Sequence, residues 1–327
     1  MSFLDADQVE HFQSEGYLVV EDLISPEDVL DPLVDEYEKV LSKLAEELFD
    51  QGIISSTYSD LPFNERLTEI YQDSGKVHAG YFDFSLPQAG VKRDTPMWHG
   101  PAVFDTLTAP PLLDAVESLI GSEIYSNPVQ HVRLKPPEKL TPINTKTGEV
   151  QLGATPWHQD LGVVNEEADG TDMLTAWIPV WDATEESGCL HLVPWSHMEG
   201  LASHCAGPNA ARPGLHIPDD RLRLEDAVSL PMSRGSVLFM HRLTCHGSLP
   251  NNSDRVRWSL DLRYNPIGQP TGRGSFPGFV ARSRSNPETE LHDSEVWAES
   301  WLQTREKLAL ENDPQYNRWN TDDPTCA

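Results

Sequence analysis

Apolar residues recur at three- and four-residue steps through the first third of the chain and at two-residue steps beyond about residue 130. That change of period separates a helical part from a strand-rich part. Residues 7–15 carry apolar positions at helical intervals, and the short strand-like run GYLVVEDLI follows. Ser25, Pro26, Glu27 and Asp28 then read as an N-cap, a proline at the first helical position and acids in the first turn. Leu33, Val34, Tyr37, Val40, Leu41, Leu44 and Leu48 extend this helix to about Gln51, where Gly52 stops it, and Asp31-Pro32 marks a kink or a restart. Further helices are predicted over 61–73, 111–120 and 294–311. From Gln130 onward the chain offers VQHVRLK, LTAWIPVWD, CLHLVP, AVSLP, GSVLFM and VRWSLDLRY, each strand-sized and bounded by turn residues. Six such runs without intervening helices predict an all-β core, a sandwich or a jelly roll. The connections 141–154, 197–224 and 265–293 are long, as lids and binding loops are.

Composition narrows the partners. Among 327 residues, 52 acids against 24 basic residues give a net charge of -28, which repels nucleic-acid phosphate and anionic membranes. No run of about 18 apolar residues suggests a transmembrane helix, and the acidic start lacks the pattern of a signal peptide, so the cytoplasm is the expected compartment. Cys189, Cys205, Cys245 and Cys326 are widely spaced without a C-x-x-C pair, and they read as reduced thiols. A small-molecule partner is expected, with monomer and homodimer both open.

Candidate chemistry centres on TPWHQDLG. His158 and Asp160 lie two positions apart, so on an extended segment both side chains point the same way. Two imidazoles and a carboxylate with open coordination positions suit non-haem iron(II). With 12 histidines present, one such triplet arises by chance roughly once, so a third ligand has to be found elsewhere. His191, His197, His204, His216, His241 and His246 are the candidates; His191 also fits a buried structural role, and His204 and His216 fall in a loop. His246 stands out because it follows an apolar strand and precedes a turn, with Arg255 and Arg257 on the next strand.

The combination of WHQD, AWIPVWDATEESGCLHLVPWSH and CHGSLPNNSDRVRWSLDLRY resembles the phytanoyl-CoA dioxygenase family, as do EGYLVVEDLISPEDV and the KPP at Lys135. These are iron(II)- and 2-oxoglutarate-dependent oxygenases on a double-stranded β-helix, a cupin-like jelly roll. The resemblance implies a mainly β, α+β chain forming one oxygenase domain. In it 1–125 is mainly helical support, 126–265 is the β-helix core with the metal site, and 266–327 is a C-terminal loop and helix. It implies His158, Asp160 and His246 as iron ligands. Arg257, eleven residues after His246, then becomes the partner of the distal carboxylate of 2-oxoglutarate, a role a buried arginine fork suits; Arg255 is its rival. Ser248 matches an assisting hydroxyl and Trp177 a tryptophan of the cosubstrate pocket, with a turn serine and a core tryptophan as their bland alternatives.

The implied reaction consumes O2 and 2-oxoglutarate, releases succinate and CO2, and hydroxylates or otherwise oxidises a small organic metabolite of secondary or specialised metabolism. Retention of Asp160 argues against halogenation, where the resemblance implies a small residue in its place. Tyr81, Trp98, His99, Gln130, His131 and Arg133 are candidates for lining the substrate pocket. Two other readings share the ligand set: a cupin-type isomerase or hydrolase using another divalent metal, and a non-catalytic β-barrel binding protein. The spacing of Arg257 counts against the first.

Overall fold

The computed structural model describes residues 3–206, 215–311, 318–319 and 326. Helix α1 (Ala6–Glu15) opens with a capping box in which Asp5 accepts from the Gln8 N–H while the Gln8 side chain accepts from the Asp5 N–H. It ends at Gly16, whose φ of 82° lies in the left-handed region that glycine enters without penalty. Ser25 caps the next element as expected, but Pro26–Leu30 forms one π-helical turn before α2 (Asp31–Asp50) restarts at Asp31-Pro32. Along α2, Leu33, Tyr37, Val40, Leu41, Leu44 and Leu48 are buried, which makes the predicted stripe its packing face. Helices α3 (Phe63–Ser74), α5 (Pro110–Ile120) and α6 (Ser294–Leu308) fall within a few residues of the predicted spans. The short α4 (Pro101–Leu107) was not foreseen, because seven residues are too few to establish a helical period.

All six predicted runs contain strands: β3 (His131–Lys135), β4 (Leu174–Pro179), β5 (Leu190–Leu192), β8 (Val228–Leu230), β9 (Val237–His241) and β11 (Arg257–Pro266). Six more join them: β1 (Tyr17–Val20), β2 (Glu123–Ser126), β6 (Cys205–Ala206), β7 (Leu215–His216), β10 (His246–Ser248) and β12 (Phe279–Ser283). A seven-stranded antiparallel sheet runs β1-β9-β4-β11-β2-β12, with β3 also paired to β11, and a three-stranded sheet runs β10-β5-β8. Together they make the jelly-roll core. The large sheet takes β1 and β2 from the first segment and β12 from the last, so the expected division at residues 126 and 265 does not divide the sheet.

The helices cover one face of the large sheet. Leu174, Ala176 and Ile178 of β4 and Trp258, Leu260, Leu262 and Tyr264 of β11 enter their core, where Trp258 packs against Phe63 and Tyr37 at ring-centroid distances of 5.1 Å each. The alternate residues of β11, namely Arg257, Ser259, Asp261 and Arg263, are polar. A half-covered strand normally turns its polar side to water. Here that side faces inward: the three charged members line a cavity between the two sheets, beside a second apolar core that includes Trp177, Leu190, Leu238 and Met240.

The tail returns to the β core. Arg318 forms a two-pronged ion pair with Asp169 (2.6 and 3.0 Å), and the Trp319 indole N–H donates to the Gly162 carbonyl (2.6 Å). Cys326 is disulfide-bonded to Cys205, which corrects the expectation of four reduced thiols. Spacing patterns report only local pairs, whereas this bond closes a separation of 121 residues once folding brings the two Cα atoms to 5.3 Å. Cys189 and Cys245 are free and buried, and burial pushes both thiols up to about 11. Among the described residues no helix is long and apolar enough to cross a membrane.

Candidate metal centre

His158 and His246 are 88 positions apart in the chain yet form an antiparallel bridge, each backbone N–H donating to the other's carbonyl at 2.9 Å. The two side chains therefore leave the backbone side by side, with ring centroids 4.2 Å apart. Gly247 makes the approach possible: a Cβ there would sit 2.8 Å from both His191 Nε2 and the Thr155 carbonyl. Asp160 begins a 3₁₀ turn just after the bridge, so the H-x-D pair spans the end of an extended segment rather than lying within one strand. One ligand atom from each of His158, Asp160 and His246 falls within 4.8 Å of the others, a spacing that one divalent cation can bridge.

Local bonds orient each ligand. His158 Nδ1 lies 2.9 Å from the Pro156 carbonyl and His246 Nδ1 lies 3.0 Å from that of Thr244. Because a carbonyl only accepts, both Nδ1 atoms carry the proton, and both Nε2 lone pairs stay available to a metal. Burial drives the His158 imidazole down to about 3, with His246 adding to the effect against Asp160, so the ring is neutral at physiological pH. Asp160 is 1% exposed. Burial would raise its carboxyl, but Arg263, His246 and His158 together hold it well below the ordinary carboxylate range. Arg263 donates to Asp160 Oδ1 and Thr175 to Oδ2, which fixes the plane of the carboxylate.

Arg257 occupies the same cavity. It is 2% exposed, its Nη1 donates to Ser259 Oγ (2.6 Å), its guanidinium lies 5.6 Å from the centre of the Trp177 ring, and its buried Nε finds no partner among the described residues. Burial lowers its pKa to about 10, which still leaves it cationic at neutral pH. Lys135, its partner in register on β3, is 3% exposed and donates to Ser248 Oγ (2.8 Å) and Thr155 Oγ1 (2.6 Å). Burial and the neighbouring Arg257 push the Lys135 ammonium well below its ordinary range. Ser248 Oγ already accepts from Lys135 and from the Thr155 N–H (2.8 Å), so its own proton is left to donate. Arg257 in the cavity, with the bonded pair of Lys135 and Ser248 on neighbouring strands, offers donors suited to a carboxylate, and the donor set fits iron(II) with 2-oxoglutarate.

Arg255, the rival anchor, is excluded by position. It precedes β11, so the two-residue alternation does not reach it, and its side chain is 81% exposed beside Asp254. Arg133 does face the cavity, and His131 holds Asp83 at 2.9 Å. Gln130 is buried with its amide near Ser126 Oγ (3.5 Å). Three suggested pocket residues turn to the helical layer instead. Tyr81 donates to Glu47 (3.0 Å), Trp98 to Glu36 (2.7 Å), and His99 bonds the Phe84 carbonyl (2.9 Å) while stacking on Trp301. Their aromatic bodies complete the helix-to-sheet core, which outweighs a place at the cavity. Of the other histidines, His191 stacks on Trp157 with centroids 3.9 Å apart, and His204, although in a loop, is 1% exposed and accepts from the Gln159 N–H (2.9 Å). Sequence reasoning overlooked Thr175, Asp261 and Arg263; their only signal was polarity at alternate positions of otherwise apolar strands.

The burial of His99 makes a stability prediction. Burial lowers its imidazole to about 4 despite the Phe84 carbonyl, whereas in the unfolded chain it titrates near the ordinary 6.5. Below about pH 6.5 the unfolded chain therefore binds a proton that the folded chain refuses, and stability falls as pH drops from about 6.5 to 4. His99→Gln keeps a donor for the Phe84 carbonyl and removes the titration. Urea unfolding at pH 7 and pH 4 should show the variant losing less stability than wild type, by on the order of 2 kcal/mol. Equal losses would contradict this account of the site.

Comparison with known proteins places these features in context. The family model described as phytanoyl-CoA dioxygenase (PhyH) matches residues 12–259. Phytanoyl-CoA dioxygenase domain-containing protein 1 of Danio rerio is 25% identical over 270 residues, covering 79% of this chain and 88% of that protein. The 1-deoxypentalenic acid 11-beta-hydroxylase of Streptomyces arenae is 33% identical over 125 residues, a match that spans 36% of this chain and 43% of the hydroxylase. Among solved structures, the apo form of the non-heme monooxygenase ThoJ shares the fold, with a TM-score of 0.55 at 16% identity over 93% of this chain and 97% of ThoJ.

Proposed function

The chain belongs to the phytanoyl-CoA dioxygenase family, and on that premise we propose an iron(II)- and 2-oxoglutarate-dependent dioxygenase that hydroxylates a small organic molecule of specialised metabolism. His158, Asp160 and His246 would hold the iron, and Arg257, backed by Lys135 and Ser248, would receive the distal carboxylate of 2-oxoglutarate. The observation that carries this reading is the meeting, in one cavity, of a two-histidine, one-carboxylate triad with a buried arginine whose Nε finds no partner among the described residues. When bound, iron(II) with 2-oxoglutarate and O2 supplies oxidation of a substrate C–H bond, with succinate and CO2 as co-products.

The chain contributes placement. The bridge between His158 and His246 fixes two ligands through backbone geometry that needs no metal. Arg263 and Thr175 hold the third, so little reorganisation is needed when a cation enters. Trp177, 2% exposed, closes the arginine end of the cavity and excludes water from the Arg257 cation. Water exclusion strengthens the attraction between that cation and a carboxylate. The relative from Streptomyces arenae, named for hydroxylation of 1-deoxypentalenic acid, supports a small metabolite as substrate.

Anaerobic titration of the protein with iron(II) and 2-oxoglutarate tests the reading. The expected result is the weak visible charge-transfer band of the chelate, saturating at one equivalent of iron. A folded protein that develops no band would refute it. A metabolite screen scored by stimulated succinate release then identifies the substrate.

A further inference from the structure

The cavity contains a charged pair, Arg133 and Asp261, for which neither metal nor cosubstrate accounts. Arg133 lies on β3 two residues before Lys135, on the same inward face, and lines the cavity together with His158, Asp160, His246 and Arg257. Its Nε donates to Asp261 Oδ2 at 3.1 Å, and that bond sets the plane of the guanidinium. Neither Nη atom makes a hydrogen bond with any described residue, and the side chain is 37% exposed. Arg257, by comparison, is 2% exposed at the closed end of the cavity. A guanidinium held through Nε presents its Nη1/Nη2 edge, the fork that matches a carboxylate with two parallel bonds.

Charge balance points the same way. The cavity is lined by three arginines, Arg133, Arg257 and Arg263, against two aspartates, Asp160 and Asp261. Iron(II) and the 2-oxoglutarate dianion cancel one another, so the loaded cavity keeps a surplus of one positive charge. Arg263 is paired with Asp160, Arg133 through Nε with Asp261, and Arg257 faces the cosubstrate, so the surplus belongs to the site as a whole and Arg133 is the member whose Nη edge is left to meet an anion. Such a surplus inside a chain of net charge -28 is local by construction, since surface charges beyond about 8–10 Å are screened at physiological salt.

We infer that Arg133, oriented by Asp261, is the recognition site for a carboxylate on the substrate, so that the enzyme acts on a small carboxylic acid bound as its monoanion. This rests on the oxygenase reading of the site, because the charge count includes iron and 2-oxoglutarate. Recognition is noncovalent and adds no step to the reaction.

The test uses the anaerobic complex of protein, iron(II) and saturating 2-oxoglutarate, with cyclohexanecarboxylate and its neutral isostere cyclohexanecarboxamide as probes. Binding beside the metal is read as a shift of the charge-transfer band. The acid is expected to bind at least about tenfold more tightly than the amide, as a charge-assisted pair is stronger than a neutral one. Arg133→Gln should reduce that preference to less than about twofold, and Arg133→Lys should keep part of it. Because Arg133→Gln strands Asp261, Arg133→Gln/Asp261→Asn provides a charge-neutral version that should lose the preference equally. Failure of the band to form would overturn the oxygenase reading itself. A normal band with acid and amide bound equally, with neither bound, or with the preference retained in both glutamine variants, would overturn only the assignment of Arg133. Loss of the band on adding the acid would place the carboxylate at Arg257 in competition with 2-oxoglutarate, and would also overturn it.

Discussion

Arg257→Ala is expected to weaken 2-oxoglutarate binding by about 100- to 1,000-fold, with Arg255→Ala within about twofold of wild type. The magnitude corresponds to roughly 3–4 kcal/mol, within the range lost when one partner of a buried, hydrogen-bonded charge pair is removed. Arg257 has lost its water, keeps one bond to Ser259 and finds no partner at Nε among the described residues, so an incoming carboxylate replaces solvation that folding has already removed. Arg255 is 81% exposed and remains hydrated with or without ligand. Anaerobic titration of 2-oxoglutarate into the iron(II) protein, read at the charge-transfer band, checks both variants. Equal effects, or the reverse order, would move the cosubstrate away from the β11 cation. Iron binding without 2-oxoglutarate should be unchanged in Arg257→Ala, which separates loss of the anchor from loss of the centre.

Asp160→Ala should have the largest combined effect, because this carboxylate is both a metal ligand and the partner of a buried arginine. Removing it abolishes tight iron binding and leaves Arg263, whose side chain is 5% exposed, without its counter-charge. The metal-free variant is therefore expected to be less stable than wild type by about 3–5 kcal/mol. His158→Ala should also lose iron affinity, by at least about 100-fold, yet destabilise the metal-free protein much less, since it breaks no ion pair. Urea unfolding of the metal-free proteins distinguishes the two, and the structural role of the Arg263 pair would be refuted if their stabilities matched. Acid should act on wild type in the same sense. A carboxylate held below its ordinary range contributes its full stabilisation above about pH 4, and that stabilisation disappears as the pH falls further.

These expectations draw unequally on sequence and fold. The triad and Arg257 were legible because their spacing within WHQD, CHGS and the strand that follows is local, and because a family resemblance supplied their order. Arg263 was not. On β11 it reads as one polar residue in an alternating strand, and alternation alone assigns such a residue to water. The helices reverse that assignment by covering the apolar face of the same strand, which leaves the polar face for the cavity. Tyr81, Trp98 and His99 failed in the opposite sense: aromatic residues near a pocket motif suggested a lining, but their polar atoms found Glu47, Glu36 and the Phe84 carbonyl in the helical layer. The disulfide from Cys205 to Cys326 was hidden for the same reason, as no spacing rule reaches across 121 residues.

The sequence by itself determined the helical stripe of α2, the six principal strands and the shared direction of His158 and Asp160. Each depends on a period or a spacing within about twenty residues, which local backbone geometry converts directly into a shared face. Only the tertiary structure decided which face of β11 is interior, that Cys205 meets Cys326, and which arginine is held by Asp261 with its Nη edge toward the cavity. Those outcomes depend on contacts between segments far apart in the chain, where solvent exclusion and charge pairing select one partner among several that the sequence leaves equivalent.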